Sequence, residues 1–155
     1  MISEKFVEFI HGPVFMSLGT RDERLRPVHT FVAGALVNQD RETITCFVLQ
    51  SRAEKIRANL ENNGQIALTL AHPSHECYQL KGRYVSVRPA EAKDVAIQEI
   101  YRTKLLACML QYGYPEQLAK PLMLGFQYKP AVGITFRIEE IFLQTPGPEA
   151  GKKIS

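Results

Sequence analysis

The stretch Ser51-Arg52-Ala53-Glu54-Lys55 carries the clearest capacity for chemistry in the chain. A serine followed three residues later by a glutamate is the capping-box pattern, in which hydroxyl and carboxylate each satisfy a free backbone donor at a helix start. A helix is therefore expected from Arg52, with Ser51 as its cap. A helix start also presents unpaired N–H groups and the positive end of the helix dipole, and Arg52 and Lys55 would set two cations one turn apart beside them. Together these make a site for a phosphate group. The same residues read equally well as a plain cap flanked by two solvated cations.

Other candidates are weaker. His72, His75, Glu76 and Cys77 fall within one loop and include zinc's preferred donors, but their spacing matches no closed tetrahedral set, so no metal is expected. His29 alternates with Val28 and Thr30 in a strand pattern, on the layer that contains Phe31 and Ala33, where a hydrogen-bonded structural histidine is the commoner case. Cys46 stands between Thr45 and Phe47 with no neighbouring group to lower its pKa, the setting of an inert buried thiol. No nucleophile elbow, Walker loop, Rossmann fingerprint or helix of paired carboxylates is present.

The elements that must position these residues follow from periodicity and punctuation. Ser3 to His11 reads as a short helix capped by Ser3 and stopped by Gly12-Pro13. Val14 to Thr20, Leu25 to Val37 and Glu42 to Leu49 read as three strands of an antiparallel meander, linked by polar turns. The helix from Arg52 ends at Asn62-Asn63-Gly64, with Ala53, Ile56 and Leu60 on one face and Arg52, Lys55 and Asn59 on another. Gln65 to Ala71 and Cys77 to Arg88 form the fourth and fifth strands. Pro89 opens a long helix to about Gly113, with Ile97, Ile100, Tyr101, Leu105, Cys108, Met109 and Tyr112 on its apolar stripe. Pro115 to Lys120 suggests one further helical turn, and Ala131 to Gln144 a sixth strand. The tail from residue 146 to 155 has no core-forming run and is expected to lie loose, leaving residues 1 to 145 as a single domain. Six strands with flanking helices, a mainly β chain of the α+β type, suggest a small closed or partly closed barrel.

Composition narrows the function classes. The 155 residues, 45% of them hydrophobic and 23% charged, can bury roughly 68–70% of their unfolded surface without a disulfide or metal staple. The net charge of +3 is spread in mixed sign, so no basic stripe offers itself to a nucleic acid. No apolar run reaches the roughly 20 residues that cross a membrane, and the N-terminus is unlike a signal peptide. Three cysteines without a CxxC pair argue against a disulfide framework. A cytoplasmic protein is expected.

The order of Val14-Phe15-Met16-Ser17-Leu18-Gly19-Thr20, Leu25-Arg26-Pro27-Val28, Ser51-Arg52 with Lys55, Gln65-Ile66-Ala67-Leu68 and Gln79-Leu80-Lys81-Gly82, over about residues 5 to 90, resembles the pyridoxamine 5'-phosphate oxidase-like split-barrel flavoproteins. The resemblance implies a six-stranded split β-barrel, a homodimer, and FMN in a groove between the subunits. It implies that Ser51, Arg52 and Lys55 hold the phosphate. It also implies that the flavin ring lies along Thr30, Phe31 and Val32 near Phe47, and that Gln79 reaches the cofactor. Ala53 stands where pyridoxamine 5'-phosphate oxidase itself has a lysine after the arginine, and the chain lacks the tryptophan that completes its substrate site. Pyridoxamine phosphate is therefore not the expected substrate. An FMN-dependent oxidoreductase is the leading reading, with a deazaflavin-dependent reductase and a non-catalytic flavin- or haem-binding protein as alternatives.

Overall fold

The computed structural model describes residues 1–155. In chain order the elements are α1 (Glu4–Ile10), β1 (Phe15–Arg21), β2 (Pro27–Val32), β3 (Ala35–Val37), β4 (Thr43–Leu49), α2 (Gln50–Asn63), β5 (Gln65–Ala71), β6 (Cys77–Pro89), α3 (Ala92–Gln111), α4 (Glu116–Gly125) and β7 (Ala131–Leu143). The strands form one antiparallel sheet in the order β2-β1-β5-β6-β7-β4-β3.

The expected second strand is two strands, making seven rather than six. The run breaks at Gly34, whose φ of +115° is closed to most side chains and where an added Cβ would stand 3.3 Å from the Tyr101 Cβ. The meander is also corrected, because β2 pairs with β1 while β3 pairs with β4, at opposite ends of the sheet order. The break joins those two ends. The Ala33 N–H donates to the Phe47 carbonyl at 2.8 Å and the Phe47 N–H to the Gly34 carbonyl at 3.0 Å, so the sheet curls into a barrel.

Strict alternation in β1 and β5 buries Met16, Leu18, Ile66, Leu68 and Leu70 and leaves their neighbours on the outer face. Each such side chain contributes roughly 1.5–3 kcal/mol by leaving water. Helix α2 closes one mouth of the barrel with Ala53, Ile56 and Leu60, and Asn59, read from the sequence onto the Arg52 face, turns inward to donate to Thr20 Oγ1 at 3.1 Å. At Gly82 the β6 backbone passes so close to β7 that a Cβ would lie 1.9 Å from the Arg137 carbonyl oxygen.

Three further boundaries differ from expectation. Pro89 ends β6 rather than opening α3, whose first turn is fixed by Asp94: its carboxylate accepts the Glu91 N–H at 2.8 Å and pairs with Arg88 at 2.5 Å. The single turn after Pro115 is a ten-residue helix, α4. The tail, exposed throughout, folds back on the edge that β4 leaves open along β7, with Leu143 N–H donating to the Lys152 carbonyl at 2.9 Å and Ile154 N–H to the Ile141 carbonyl at 2.8 Å. No helix is long and apolar enough to cross a membrane.

Candidate functional site

Helix α2 begins two residues earlier than the capping-box pattern predicts, at Gln50, with Leu49 as N-cap. Ser51 is thus the second residue inside the helix and caps nothing. Glu54 accepts instead from the Gln50 side-chain amide at 3.4 Å. The Gln50 N–H is taken by the Pro130 carbonyl at 3.0 Å, but the N–H groups of Ser51 and Arg52 have no acceptor within the helix, and no side chain caps them. Ser51, Arg52 and Lys55 are all exposed. Neither cation has a carboxylate within 4.0 Å, although Arg57 on the same helix pairs with Glu61 at 2.6 Å.

Along β2 the residues alternate. Thr30 and Val32 are buried in the barrel, as is Phe47 on β4, so their side chains face away from any ligand on the outer surface. Phe31 is 53% exposed, and His29 beside it is exposed as well, the two rings meeting edge to face with centroids 5.0 Å apart. The Phe31 carbonyl receives the Tyr128 hydroxyl at 3.4 Å, and the Ala33 N–H goes to β4. Odd-numbered residues of this strand therefore turn their backbone groups to the edge away from β1, while those of Thr30 and Val32 face the β1 ladder.

Gln79 shares the outer face with Phe31. The register Phe31–Ser17–Thr69–Gln79–Phe142 runs as one row across β2, β1, β5, β6 and β7, which sets Gln79 about 14 Å from Phe31, three strand spacings of about 4.8 Å. Small side chains fill the rows between, and a Cβ added at Gly19 would meet nothing within 4 Å. A groove of about 490 Å³ opens there, lined by Gly19, Arg21, Gln65, Ala67, Lys81 and Arg83 among others.

Phe126 and Tyr128, in the link between α4 and β7, were not singled out by sequence. Phe126 packs under Phe31 at 5.9 Å between centroids and stacks on Tyr128 at 5.9 Å. Burial pushes the Tyr128 hydroxyl pKa up, and the Arg52 charge pulls against it. Tyr128 thus lies within electrostatic reach of Arg52 while its hydroxyl engages the strand that carries the exposed ring. Behind them Tyr101 buries a hydroxyl with no hydrogen-bond partner, an arrangement that costs roughly 1–3 kcal/mol when nothing fills it. The signal that could have found this cluster is the pair of aromatics in Phe126-Gln127-Tyr128 just ahead of a strand; Tyr101 was visible only as one member of an apolar stripe.

The remaining candidates lie elsewhere. His72 Nδ1 accepts the Ser74 N–H at 3.1 Å, and its Nε2 stands 3.6 Å from Cys108 Sγ, a thiol whose pKa burial raises. No three His, Cys, Asp or Glu side chains gather into a possible metal site. Cys46 is fully buried, which drives its thiol pKa far up, and all three cysteines are free.

The family model described as pyridoxamine 5'-phosphate oxidase matches residues 2–124. HupZ of Group A Streptococcus is similar in structure at 19% identity, with 97% of this chain and 100% of that chain covered and a TM-score of 0.56. An F420 reductase matches at 15% identity over 90% of this chain and 98% of its own, with a TM-score of 0.57. An FMN-binding protein from Syntrophomonas wolfei subsp. wolfei matches at 15% identity over 98% and 85%, with a TM-score of 0.56. At these identities the solved structures establish the shared split-barrel fold. No curated protein matches the sequence significantly.

Proposed function

The chain belongs to the pyridoxamine 5'-phosphate oxidase-like family, and from that premise we propose that it binds FMN and works as an FMN-dependent oxidoreductase. The observation that carries this reading is the pair of unpartnered cations, Arg52 and Lys55, at the uncapped start of α2, with Arg52 in electrostatic reach of Tyr128, whose hydroxyl donates to the carbonyl of the exposed Phe31. The residues present fit such a group: a phosphate answers two free backbone donors and two cations, and a flat ring answers Phe31. Fold likeness to an FMN-binding protein supports the same cofactor.

In this reading Arg52 and Lys55 hold the phosphate, the Ser51 and Arg52 N–H groups point at it, and the His29 and Phe31 backbone offers hydrogen bonds to the ring edge. Thr30, Val32 and Phe47 keep the strand in place from the core side. The flavin, when bound, supplies the two-electron chemistry, and the protein supplies position and electrostatics.

The reading includes a homodimer. On the outer face of β1 and β5 the small residues Ser17, Gly19, Ala67 and Thr69 form a depression flanked by Arg21, Gln65, Lys81 and Arg83, which a second copy would cover. A stable pair needs about 800 Å² per partner. A cytoplasmic setting accords with the three free cysteines. The fold likeness to an F420 reductase favours a deazaflavin as the second reading of the cofactor.

The test is the absorption spectrum of the purified protein, followed by titration of FMN and of a deazaflavin. A flavin band, or tight FMN binding with bleaching on addition of NADH or NADPH and recovery in air, supports the proposal. Preference for the deazaflavin replaces the cofactor assignment, and binding of neither overturns it.

A further inference from the structure

Where α1, β3 and α3 meet, the surface holds a second concave site, which shares no residue with the start of α2 or the β2 edge. It is a cleft of about 170 Å³ walled by Ile10, Met16, Ala35, Leu36, Ile97 and Ile100. Ile10, Met16 and Ala35 are buried at its floor, while Ile100 is 56% exposed at its rim. Besides Tyr101, the lining holds two polar side chains, His11 and Lys104.

Both have donors to spare. The Lys104 ammonium donates to the His11 carbonyl at 3.1 Å, which occupies one of its three donors. Lys93, Lys120, Lys152 and Lys153 each pair with a carboxylate, whereas Lys104 pairs with none. His11 Nε2 accepts the Val37 N–H at 3.1 Å, so the neutral ring carries its proton on Nδ1. Burial first, then the Lys104 charge, lower the His11 pKa and keep that ring neutral. No acceptor in the chain takes the Nδ1 proton. At roughly 30 Å³ for a group the size of a water or a methylene, the cleft takes about five or six such groups.

We propose that this cleft binds a small monocarboxylate, with a hydrocarbon body of that size between Leu36, Ile97 and Ile100 and its carboxylate on Lys104 and the His11 Nδ1–H. Lys104 is the only cation in the lining, which matches a single negative charge, and it repels an amine of the same length. The apolar walls reward the hydrocarbon body, at about two- to fourfold in affinity per methylene in a half-open cleft. The site is independent of the cofactor reading and stands or falls without it.

The experiment titrates hexanoate into the purified parent chain as isolated, followed by proton–nitrogen NMR and by melting temperature. Butanoate, acetate and hexylammonium are titrated beside it, and the series is repeated on Lys104→Met and Ile100→Asp. Hexanoate is expected to bind with a dissociation constant on the order of 1 mM or below, to move the resonances of His11 and Ile100, and to raise the melting temperature. Affinity should fall stepwise from hexanoate to acetate, and hexylammonium should not bind. Lys104→Met should weaken hexanoate about three- to tenfold. Ile100→Asp, which sets a negative charge at an exposed point of the rim, should weaken it at least as much. A lysine that only ties α3 to α1 would lower the melting temperature of the ligand-free chain when replaced and leave the rise produced by hexanoate unchanged, and that result overturns the proposal. Acetate binding as tightly as hexanoate, shifts confined to residues around Arg52 and Lys55, or the absence of saturable binding overturns it as well.

Discussion

Replacing both Arg52 and Lys55 by alanine isolates the phosphate half of the proposed site. Neither side chain has an ion-pair partner within the chain, and both are exposed, so their removal leaves no stranded acidic group and the fold should keep its stability to within about 0.5 kcal/mol. Toward a phosphate each forms a charge-assisted contact nominally worth about 1.5–3 kcal/mol. Both are open to water, and halving those figures for screening leaves about 1.5–3 kcal/mol for the pair, a ten- to roughly hundredfold loss of FMN affinity. Riboflavin has the ring without the phosphate and should change by less than about threefold, a few tenths of a kcal/mol. Salt gives an independent readout, since exposed charges are screened beyond about 10 Å at 0.1 M and over shorter distances as salt rises. FMN binding by the parent should weaken as salt rises, and that dependence should flatten in the double variant. Quenching of flavin fluorescence supplies the assay. Unchanged FMN affinity, or equal loss of both flavins, would refute the assignment of the phosphate to the start of α2.

Ser51→Ala should cost little stability, because Leu49 and not Ser51 is the N-cap; a loss near the roughly 1 kcal/mol of a removed cap, seen by urea denaturation, would contradict the helix boundary. His11 Nε2 accepts the Val37 N–H at 3.1 Å, and burial first, then Lys104, lower its pKa. Its contribution is therefore full above the ordinary imidazole value of about 6.5 and is lost as the pH falls from there towards the depressed folded value. Stability of the parent should drop between pH 7.5 and 5 by more than that of His11→Gln, and equal slopes would sink the idea. Ala67→Arg on the outer sheet face should convert a dimer mass in light scattering to a monomer mass with an unchanged circular dichroism spectrum; a parent that is already monomeric with flavin bound removes the homodimer. Gly82→Ala should destabilise by at least about 3 kcal/mol or prevent folding, since backbone stands where the methyl would go.

The alternation of β1 and β5 was legible because a half-buried strand writes its core face into every second residue, as Met16-Leu18 and Ile66-Leu68-Leu70 do. The start of α2 was misread for a tertiary reason. Its first donor is satisfied by Pro130, and β4 runs to Leu49 through its pairing with Ala131, so no side-chain cap is required and the Ser-x-x-Glu pattern goes unused. The break between β2 and β3 had a signal, an isolated glycine inside an apolar run, but Phe31 to Val37 otherwise reads as continuous strand. The tail folds back through backbone hydrogen bonds, which composition does not encode. Of the proposed cofactor contacts, Ser51, Arg52, Lys55 and Phe31 lie around the start of α2 and the neighbouring β2 edge, and Gln79 joins the same outer face. Thr30 and Val32 share the strand of Phe31 but lie on its inner side, a distinction that one residue of register decides.

Chain connectivity explains why the two halves of the site are neighbours at all. Gly34 lets the chain leave β2 and enter β3 at the other end of the sheet order, and the Phe47 hydrogen bonds to Ala33 and Gly34 then hold the end of β4 against the end of β2. Helix α2 starts three residues after Phe47, so its uncapped end and its two cations are carried to the edge where Phe31 is exposed. In the proposed site the phosphate contacts come from a helix terminus and the ring contacts from a strand edge. Each half can be removed without the other, and the riboflavin comparison is informative for that reason: a loss confined to FMN reports on α2, and a loss shared by both flavins reports on the β2 edge.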